Sequence, residues 1–575
     1  MSVSTARPGP QRGIPIATRM RILALIAICA AELLVVLDNT LVNVALPSMA
    51  VQLQARMSGL QWIVDAFTLA FAGLLLPLGH LGDRYGRRRL MIIGLAGVAV
   101  MSAAGAMSSG LGQVIAARAG MGVFAAAVFP ATLALIINLF PEARARAAAI
   151  ALWTAMAGIA VAIGPVTGGW LLEYFSWHAV FWINVPIAAI TIAAVLVVVP
   201  ESRADHSGRL DVLGIGLSLV AVTTLVWTII EAPKHGWLSG RSVGGYALSL
   251  ILLALYVIWE LRVESPVLNM RLFRIRRFSI PALAITVSYF CAFGFLFLIT
   301  QYFQGVKEMS ALEFGIHSLP FAAAVGLGAP IATLAAQRIG TTATVVCGLL
   351  LLAAGMFFAG RVTVETPYLG TVLVSMILMG VGFGVVQGPA TESIMGAVPI
   401  EEAGAGSAVN DTTREVGGTL GVAVLGSIMT SVYTGRVGAR IDAIPDAIMN
   451  PTQKSLARDT PISVLEIVKV PISPFFAGAK ADLVHAMKVA ALAGSTAASW
   501  AAVGALLVCA VLVAALLPWK PQRGASLLLG RTAEDTRAAK PQIFSVSVSG
   551  SGGSTPVTRN TTRRPISTAW SAKRS

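Results

Sequence analysis

Long apolar runs recur along almost the whole chain and constrain its fold more than any other feature. Of the 575 residues, 56% are hydrophobic and 12% are charged, a larger apolar share than ordinary water-soluble domains carry. Fourteen runs of roughly 19 to 29 residues are long enough to cross a bilayer as helices. They lie at about 22–46, 60–80, 90–109, 111–137, 147–170, 178–199, 211–231, 243–261, 279–303, 313–336, 342–360, 369–395, 403–431 and 496–517. The pattern predicts an all-α integral membrane protein.

The basic residues predict an orientation for these helices. The net charge of +15 sits in short loops and tails and not on a soluble basic face, which argues against a nucleic-acid partner. One side of the predicted bilayer carries Arg84, Arg87, Arg88, Arg89, Arg144, Arg146, Arg203, Arg209, Arg262, Arg271, Arg274, Arg276, Arg277 and Arg338. The other carries Arg56, Lys234, Arg241, Lys307 and Arg361. Because positive loops stay in the cytoplasm, both termini are predicted to be cytoplasmic.

Three segments lie outside the predicted membrane. Residues 1–21 are polar and basic and lead into a helix too long for a signal peptide, so they read as a retained cytoplasmic tail. Residues 432–495 are predicted to be an external loop whose prolines break any long helix, with room for a short helix near 479–493. Residues 518–575, rich in Ser, Thr, Arg and Gly, are predicted to be a disordered basic cytoplasmic tail.

The four cysteines lie far apart inside apolar runs. Their spacing contains no CxxC motif and no paired pattern. They are Cys29, Cys291, Cys347 and Cys509. The sequence therefore predicts neither disulfides nor a metal site.

The first span contains an aspartate within LDNTLVNVALP. Counting back from Pro47, Asp38 lies about 13 Å inside the outer end of the helix. Ionisable residues at such depth usually face a bundle interior or an aqueous cavity and mark ion or substrate paths. A second interpretation stays open, in which Asp38 is protonated and only hydrogen-bonds a neighbouring helix.

Two further charges lie at comparable depth in neighbouring spans. Asp65 is about 6 Å and Arg118 about 10 Å from the outer surface by the same helical rise. Each has a plain alternative, since Asp65 could be an interfacial aspartate and Arg118 an anchor to a neighbouring helix. We hypothesise that Asp38, Asp65 and Arg118 form a coupled network, in which protonation of an aspartate releases Arg118 to another partner.

The loop after the second span reads GHLGDRYGRRR. Gly79 and Gly86 permit a tight turn and close helix approach, and Asp83 can sit near a helix N-terminus, where negative charge is favoured. Arg87 and its neighbours also fit a simple positive-inside anchor. That alternative explains the arginines but not the regular placement of glycine and aspartate.

The fifth span contains AVAIGPVTGGW. Gly164 and Gly168 form a small-xxx-small face that allows close packing between helices, and Gly169 extends it. Pro165 removes a backbone donor and kinks the helix. The segment is predicted to be a hinge or a site of static close packing, and the two readings are compatible.

Taken in order, these motifs resemble the major facilitator superfamily. They are LDNTLVNVALP in the first span, GHLGDRYGRRR after the second, an arginine in the fourth, GPVTGG in the fifth and SWHAVFWINVP at the sixth. The resemblance covers about residues 22–517 and is closest to the fourteen-helix drug:proton antiporters, the EmrB/QacA-like group. It implies two six-helix bundles, at 22–200 and 279–517, with spans seven and eight at 201–262 as an inserted pair. Repeated halves of this kind are common in secondary transporters.

The resemblance also implies roles for individual charges. Asp38 matches the first-helix aspartate of the family, and Arg118 the fourth-helix arginine implicated in proton coupling. Asp65 matches a second-helix acid found in exporters of lipophilic cations. Asp411 and Glu415 match acidic positions of the thirteenth helix that cation exporters use, and their spacing of four places them on one helix face.

The remaining motif residues resemble known gating elements, with some departures. Asp83 and Arg87 match the gate in the loop after the second helix, and Pro165 matches the proline of the antiporter motif. Ala160 replaces a motif glycine in the fifth helix, and His178 stands where an arginine is usual. The tenth helix lacks a buried aspartate, so a cation site would depend on other acids.

These features predict proton-driven export of amphipathic, often cationic compounds by alternating access. The expected partners are small-molecule substrates, protons and the lipid bilayer of a bacterial cell membrane. The proton-motive force is the expected energy source, with no cofactor and no metal. The sequence contains no GxxxxGK[ST] phosphate loop, and an enzyme is not expected. Two alternatives stay open, a dedicated exporter of an endogenous lipid or secondary metabolite and a non-transporting membrane sensor.

Overall fold

The structure is a computed structural model, and it describes residues 18–203, 211–263, 266, 268, 270–397, 403–446, 449–460 and 477–519. Every regular element among these residues is a helix. The fourteen long helices are α1 (Thr18–Gln52), α2 (Met57–Tyr85), α3 (Arg87–Ala106), α4 (Leu111–Leu139), α5 (Ala143–Tyr174), α6 (His178–Val198), α7 (Val212–His235), α8 (Gly240–Glu260), α9 (Arg276–Thr300), α10 (Ala311–Ile339), α11 (Thr341–Ala359), α12 (Leu373–Gly396), α13 (Ala403–Asp442) and α14 (Ala477–Leu516).

The long helices coincide with the fourteen predicted spans. Thirteen of them, all but α5, are long and apolar enough to cross a membrane by length and composition. α5 has 32 residues and occupies the position of the fifth predicted span. Shorter elements are a 3₁₀ helix at Met270–Arg274, a helix at Pro451–Asp459, and π-helical turns at Gln301–Val306 and Tyr368–Val372. The fold class predicted from the sequence is therefore confirmed.

The segment predicted to be an external loop is partly helical. α13 continues through Asp442 and α14 begins at Ala477, so helix occupies both ends of the segment 432–495. Each of these helices has 40 residues, and about 60 Å of helix exceeds the roughly 30 Å of a bilayer core. Apolarity marks only the part of a helix that lies in lipid, so polar extensions were missed.

Parts of the predicted tails and of the external loop fall outside the described residues. These parts are residues 1–17, 447–448, 461–476 and 520–575. α1 begins at Thr18, within the segment 1–21 predicted to be a tail. The short helix predicted near 479–493 is the first part of α14.

The helices pack as two groups of six. In the first, α1 packs against α5 and α6, and α4 against α2 and α3; in the second, α12 packs against α10 and α11, and α13 against α9 and α14. The two most extensive contacts between the groups are α5 with α10 and α2 with α13, and α1 makes smaller contacts with α9 and α10. α2 and α10 hold equivalent places in the two groups, as do α5 and α13, in keeping with the repeated halves of secondary transporters.

Helices α7 and α8 form a separate pair. α7 packs against α2 and α13, while α8 packs mainly against α7 and leaves much of its apolar surface exposed. The exposed residues include Leu248, Leu250, Ile251 and Leu255. An apolar helix with one uncovered face is expected where lipid supplies the contacts.

The two bundles are joined by hydrogen bonds near one of their ends. We call the end where α2 meets α3 the arginine-rich face and the end where α1 meets α2 the outer face. Near the outer face, the Gln61 side chain donates to the carbonyls of Val422 and Ala423 at 3.0 and 2.9 Å. Gln304 donates to the carbonyl of Val44 at 3.0 Å, which ties the end of α9 to α1.

The outer face also carries the short helix Pro451–Asp459. Asp459 forms an ion pair of 3.5 Å with Arg56 in the loop between α1 and α2. At the same helix, the Tyr433 hydroxyl on α13 donates to the carbonyl of Ala457 at 2.7 Å. The helix therefore connects the second bundle to the first at the outer face.

The close approach of α2 and α13 predicts a specific cross-link. Thr68 and Thr419 hydroxyl oxygens lie 2.9 Å apart, so cysteines at both positions are expected to form a disulfide. To test this disulfide, the native cysteines are replaced and a protease site is inserted between α8 and α9, so that cleavage divides the chain into two fragments. After oxidation and cleavage, the two fragments should run together on a non-reducing gel and separate when reduced.

A matched control uses Ser239→Cys with Ser242→Cys, whose hydroxyl oxygens lie 3.1 Å apart within one fragment. This pair is expected to leave the fragments separable. Free migration of the fragments in the Thr68 and Thr419 double variant under the same oxidation would contradict the described interface.

Candidate functional site

A fully buried ion pair lies inside the first bundle. Arg118 on α4 and Asp38 on α1 are 0% and 1% exposed, and a guanidinium nitrogen of Arg118 lies 2.5 Å from Asp38 Oδ2. Removing two charges from water is costly, and their attraction offsets this only when geometry and further hydrogen bonds are good. The remaining polar atoms of the pair therefore decide whether it is stable.

Those atoms have partners on α1 itself and on two further helices, α2 and α6. Arg118 Nε donates to the carbonyl of Ile63 on α2 at 3.1 Å, and its other terminal nitrogen donates to Asn39 Oδ1 at 3.3 Å. Asn184 on α6 donates to Asp38 Oδ1 at 2.6 Å and to the Ser102 hydroxyl at 3.1 Å. The Arg118 guanidinium also lies 4.4 Å from the ring centroid of Phe67, a cation–π distance. α1, α2, α3, α4 and α6 thus all contribute to one buried network.

Asn184 and Ser102 were not among the residues singled out from the sequence. Ser102 in turn donates to the carbonyl of Phe181 at 2.7 Å, which ties α3 to α6. Asn184 was visible as the one amide in the apolar run SWHAVFWINVP. Its role depends on α6 packing beside α1 and α3, which periodicity alone does not specify.

Asp65 lies apart from this network. It is 0% exposed, and neither carboxyl oxygen has a hydrogen-bond partner among the residues that the structure describes. Gln61 and Thr68 contact α13, and Asp65 shares their helix face because residues four and three apart are neighbours. Asp65 is therefore not the solvated aspartate at the membrane surface that the alternative interpretation describes. Of the predicted three-charge network, the structure brings together Asp38 and Arg118 but gives Asp65 no hydrogen bond to either.

A second group of charges lies on α13. Arg414 forms an ion pair of 3.7 Å with Asp411 and donates to the Thr391 hydroxyl on α12 at 3.2 Å. Glu415 interacts electrostatically with both Asp411 and Arg414. Side-chain exposures of 20% for Asp411 and 26% for Arg414 show that the group is not sealed in the bundle.

Aromatic rings of the second bundle flank these charges. Tyr289 on α9 lies 5.8 Å from the Arg414 guanidinium and is 5.0 and 5.7 Å, between ring centroids, from Phe383 and Phe293. Rings and carboxylates together attract organic cations, the rings through their π faces and the carboxylates through charge. The arrangement can therefore bind an amphipathic cation.

Glu32 on α1 was missed in the sequence and faces the α13 group. Its side chain is buried, and its carboxyl interacts electrostatically with that of Asp411 on the opposite bundle. Glu32 lies six residues before Asp38 in the same apolar run. The rule that singled out Asp38, that an ionisable residue within a span marks a functional site, applies equally to Glu32.

The predicted gating loop forms a compact charged corner at the arginine-rich face. Asp83 and Arg87 pair at 2.6 Å, and Asp83 lies in the last turn of α2 and not at the helix N-terminus that the sequence suggested. Gly86 has φ +119 and lies against the Glu201 carboxylate, which leaves no room for a Cβ. Glu201, another residue missed in the sequence, accepts from the backbone N–H groups of Arg88 and Arg89 at 3.0 and 3.2 Å. It therefore satisfies free donors at the N-terminus of α3, where negative charge is favoured.

Gly79 supports the same corner from α2. A Cβ at Gly79 would lie 3.2 Å from Pro130 of α4, so its absence allows α2 and α4 to approach closely.

The glycines of the antiporter motif lie at helix contacts. Side chains at Gly164 and Gly168 would meet Thr40 and Leu41 of α1, and one at Gly169 would meet the backbone at Ala311 and Leu312 of α10. Pro165 lies within the continuous helix α5, and its backbone contacts Gly315 of α10. The motif therefore packs α5 against both bundles at once.

No group of His, Cys, Asp and Glu in the described part of the chain has the geometry of a metal site. The four cysteines are free.

Comparison with known proteins places this architecture in a large family. The family profile of the Major Facilitator Superfamily matches residues 28–422. The multidrug efflux pump LfrA of Mycolicibacterium smegmatis is 36% identical over 441 residues, covering 76% of this chain and 86% of LfrA. The tetracenomycin C resistance and export protein of Streptomyces glaucescens is 35% identical over 424 residues, covering 73% of this chain and 77% of the relative.

A solved structure shares the fold at low sequence identity. It is a bacterial homolog of the human lysosomal transporter Spinster, which aligns with a TM-score of 0.58 at 14% identity and covers 86% of this chain and 98% of its own.

The buried pair predicts a large and partner-dependent effect on stability. Arg118→Met leaves Asp38 buried without a counter-charge, and we expect a loss of about 3–5 kcal/mol in the free energy of unfolding. Adding Asp38→Asn should recover part of this loss because no charge is then left unpaired. Thermal unfolding of the purified proteins in detergent measures both effects.

The control is Arg89→Met, which removes an exposed partner of Glu201 at 3.7 Å and should cost no more than about 1 kcal/mol. Equal melting temperatures for the Arg118→Met and Arg89→Met variants would contradict the described network.

The positive φ of Gly86 predicts a second stability effect. Gly86→Ala forces a Cβ into the left-handed region and against the Glu201 carboxylate, which we expect to cost about 1–3 kcal/mol. Gly110→Ala is the control, since Gly110 has φ −143 and open space around it. Equal stability of the two variants in thermal unfolding would show that a Cβ introduced at position 86 does not strain this corner.

Proposed function

The chain belongs to the major facilitator superfamily, and we propose that it is a proton-driven exporter of amphipathic, often cationic small molecules that works by alternating access. As a member of a transporter family with drug-efflux relatives, it is a transporter and not an enzyme. The observation that carries the proton-coupling part is the buried Asp38–Arg118 pair. A charge pair sealed within one bundle can change state only by gaining or losing a proton or by exchanging partners.

Within the superfamily, we place the chain in the fourteen-helix drug:proton antiporter group. The pair α7 and α8, inserted between two groups of six helices, supports this assignment. So does GPVTGG, whose glycines pack α5 against α1 and α10. The arginine-rich face would lie in the cytoplasm of a bacterial cell and the outer face outside.

Proton coupling would begin at Asp38. Ionised Asp38 balances the charge of Arg118, and Asn184 holds the second carboxylate oxygen. Protonation removes the negative charge and leaves Arg118 buried without compensation, a costly state unless the bundle rearranges to supply another partner. The rearrangement would favour the alternative state of the cavity. A membrane potential contributes about 2.3 kcal/mol per charge per 100 mV to such a cycle, so no further cofactor is needed.

Asp65 would sense the state of the interface between the bundles. It shares the face of α2 that contacts α13 in this closed outer arrangement. A carboxylate buried without a partner is unfavourable when ionised, so closing the outer face favours the protonated form. Opening the face would expose Asp65 to water and allow it to ionise.

Substrate would bind against the α13 group. Asp411 and Glu415 provide negative charge, and Tyr289, Phe293 and Phe383 provide apolar and π surfaces. Partial exposure of Asp411 keeps the site open to an entering molecule. Charge would select cations, while the aromatic walls would tolerate varied shapes.

The corner at Asp83 and Arg87 would gate the cytoplasmic face. It fixes the end of α2 against α3, so a change in the tilt of α2 must break or move the pair. α5, packed on both bundles through Gly164, Pro165, Gly168 and Gly169, would be the pivot.

A second candidate function is export of one endogenous secondary metabolite. The relative from Streptomyces glaucescens is described as a resistance and export protein for tetracenomycin C, which favours this alternative. Growth of an efflux-deficient host expressing the gene, across cationic, neutral and anionic toxicants, separates the two. Broad protection supports multidrug export, and protection against a single chemical class supports the dedicated exporter.

Transport by everted vesicles tests the central proposal. We expect uptake of a permanently cationic fluorescent dye that collapses when an uncoupler is added. Asp38→Asn should abolish this uptake because an amide cannot exchange a proton at neutral pH. Glu173→Gln, at an exposed carboxylate at the end of α5, should transport like the unchanged protein. Uncoupler-insensitive uptake, or full activity of Asp38→Asn, would be incompatible with proton coupling at Asp38.

A further inference from the structure

Glu32 differs from Asp38 in how its oxygens are satisfied. Both residues are 1% exposed and lie on α1. Asp38 accepts from Arg118 and Asn184, whereas Glu32 Oε2 is buried with no hydrogen-bond partner, and no ion pair to Glu32 occurs among the described residues. A buried carboxylate oxygen without a donor is unfavourable by several kcal/mol on general grounds. Glu32 Oε2 therefore needs a proton or a hydrogen-bond donor from a ligand.

The acid that faces Glu32 belongs to the other bundle. Its carboxyl interacts electrostatically with that of Asp411 on α13. Beside Asp411, the Thr412 hydroxyl and Arg414 Nε are also buried without partners. Unsatisfied polar atoms thus belong to both bundles, and on α13 they lie near Tyr289, whose ring centroid is 5.8 Å from the Arg414 guanidinium.

Chemistry restricts what can complete this group. The carboxylates of Glu32, Asp411 and Glu415 outnumber the single Arg414 guanidinium that pairs with Asp411, and carboxylates near each other repel when ionised, so the group favours a further positive charge. The free carboxylate oxygen accepts but cannot donate, so it also needs an N–H or O–H donor. A protonated amine supplies charge and donor together. A quaternary ammonium ion of the same shape supplies only the charge.

We propose that Glu32 and Asp411 form a site between the bundles for the N–H of a protonated amine, and that Glu32 discriminates protonated amines from quaternary ammonium ions. The site deepens the proposed function, on which it rests, by naming a substrate class. Asp411 supplies charge toward any cation, while Glu32 accepts the hydrogen bond. Because α1 and α13 belong to different bundles, the bound ammonium group connects the two.

Binding of a matched pair of probes to the purified full-length protein tests the site. One probe is a dansyl amide with a dimethylaminopropyl arm, which is protonated at neutral pH, and the other is its trimethylammonium analogue. Dansyl fluorescence reports binding of both. We expect the protonated amine to bind at least about tenfold more tightly, since a charge-assisted hydrogen bond is lost in the analogue.

Substitutions assign the preference to Glu32. Glu32→Met keeps the length of the side chain. It should weaken binding of the protonated amine to about the affinity of the trimethylammonium analogue, so that the ratio of the two affinities falls to near one. Asp411→Asn should weaken both probes. Glu173→Gln is the matched control and should keep the ratio of the unchanged protein.

Several outcomes would overturn the proposal. They are equal affinity for both probes, no binding of either, or an equal loss of both in Glu32→Met. If Glu32→Met does not fold, Glu32→Gln replaces it, because an uncharged acceptor should lower the ratio without abolishing it. An unchanged ratio in Glu32→Gln would also reject the site. Uncoupler-insensitive dye uptake in vesicles would contradict proton-driven export, and this result is independent of the binding measurements that test the amine site.

Discussion

The cost of holding charge away from water organises the first bundle. Arg118 and Asp38 sit where neither has access to solvent, and each polar group of the arginine side chain meets a partner. Those partners come from α1 and α2, Arg118 itself lies on α4, and α6 and α3 are joined through Asn184 and Ser102. A pair of this kind tolerates little displacement, since any lost bond leaves a buried charge uncompensated. The positions of five helices therefore depend on this one buried pair.

Much of the fold and part of the site could be predicted from the sequence. The fourteen spans follow from run length, because a bilayer requires about 20 apolar residues per helix. The pairing of Asp38 with Arg118 was suggested by the similar depth of the two residues in their spans and by their opposite charges. The ends of α13 and α14 could not be placed, because a helix that leaves the lipid becomes polar without ending. The hydrogen bond from Asn184 to Asp38 could not be predicted either, because it requires knowing that α6 packs beside α1.

Glu32 and Glu201 were missed for different reasons. Glu32 carried the same signal as Asp38, a carboxyl in an apolar run, and only its place outside a familiar motif kept it from notice. Glu201 carried no such signal, since an acid beside a basic loop is ordinary. Its function arises from tertiary structure, which brings the end of α6 to the N-terminus of α3. Signals local to one helix are readable in a sequence, whereas those that depend on helix packing are not.

The buried acids divide into two kinds, and the division corresponds to their places in the fold. Asp38 lies within one bundle and is fully hydrogen-bonded. Asp65 and Glu32 face the other bundle and keep oxygens without donors. Groups facing across can gain water, a proton or a ligand when the bundles move as rigid bodies, whereas groups within a bundle change partners only if that bundle itself rearranges. In the proposed cycle both kinds would take part, because protonation of Asp38 would rearrange its own bundle while the contacts between the bundles change. The unsatisfied acids lie where that change takes place.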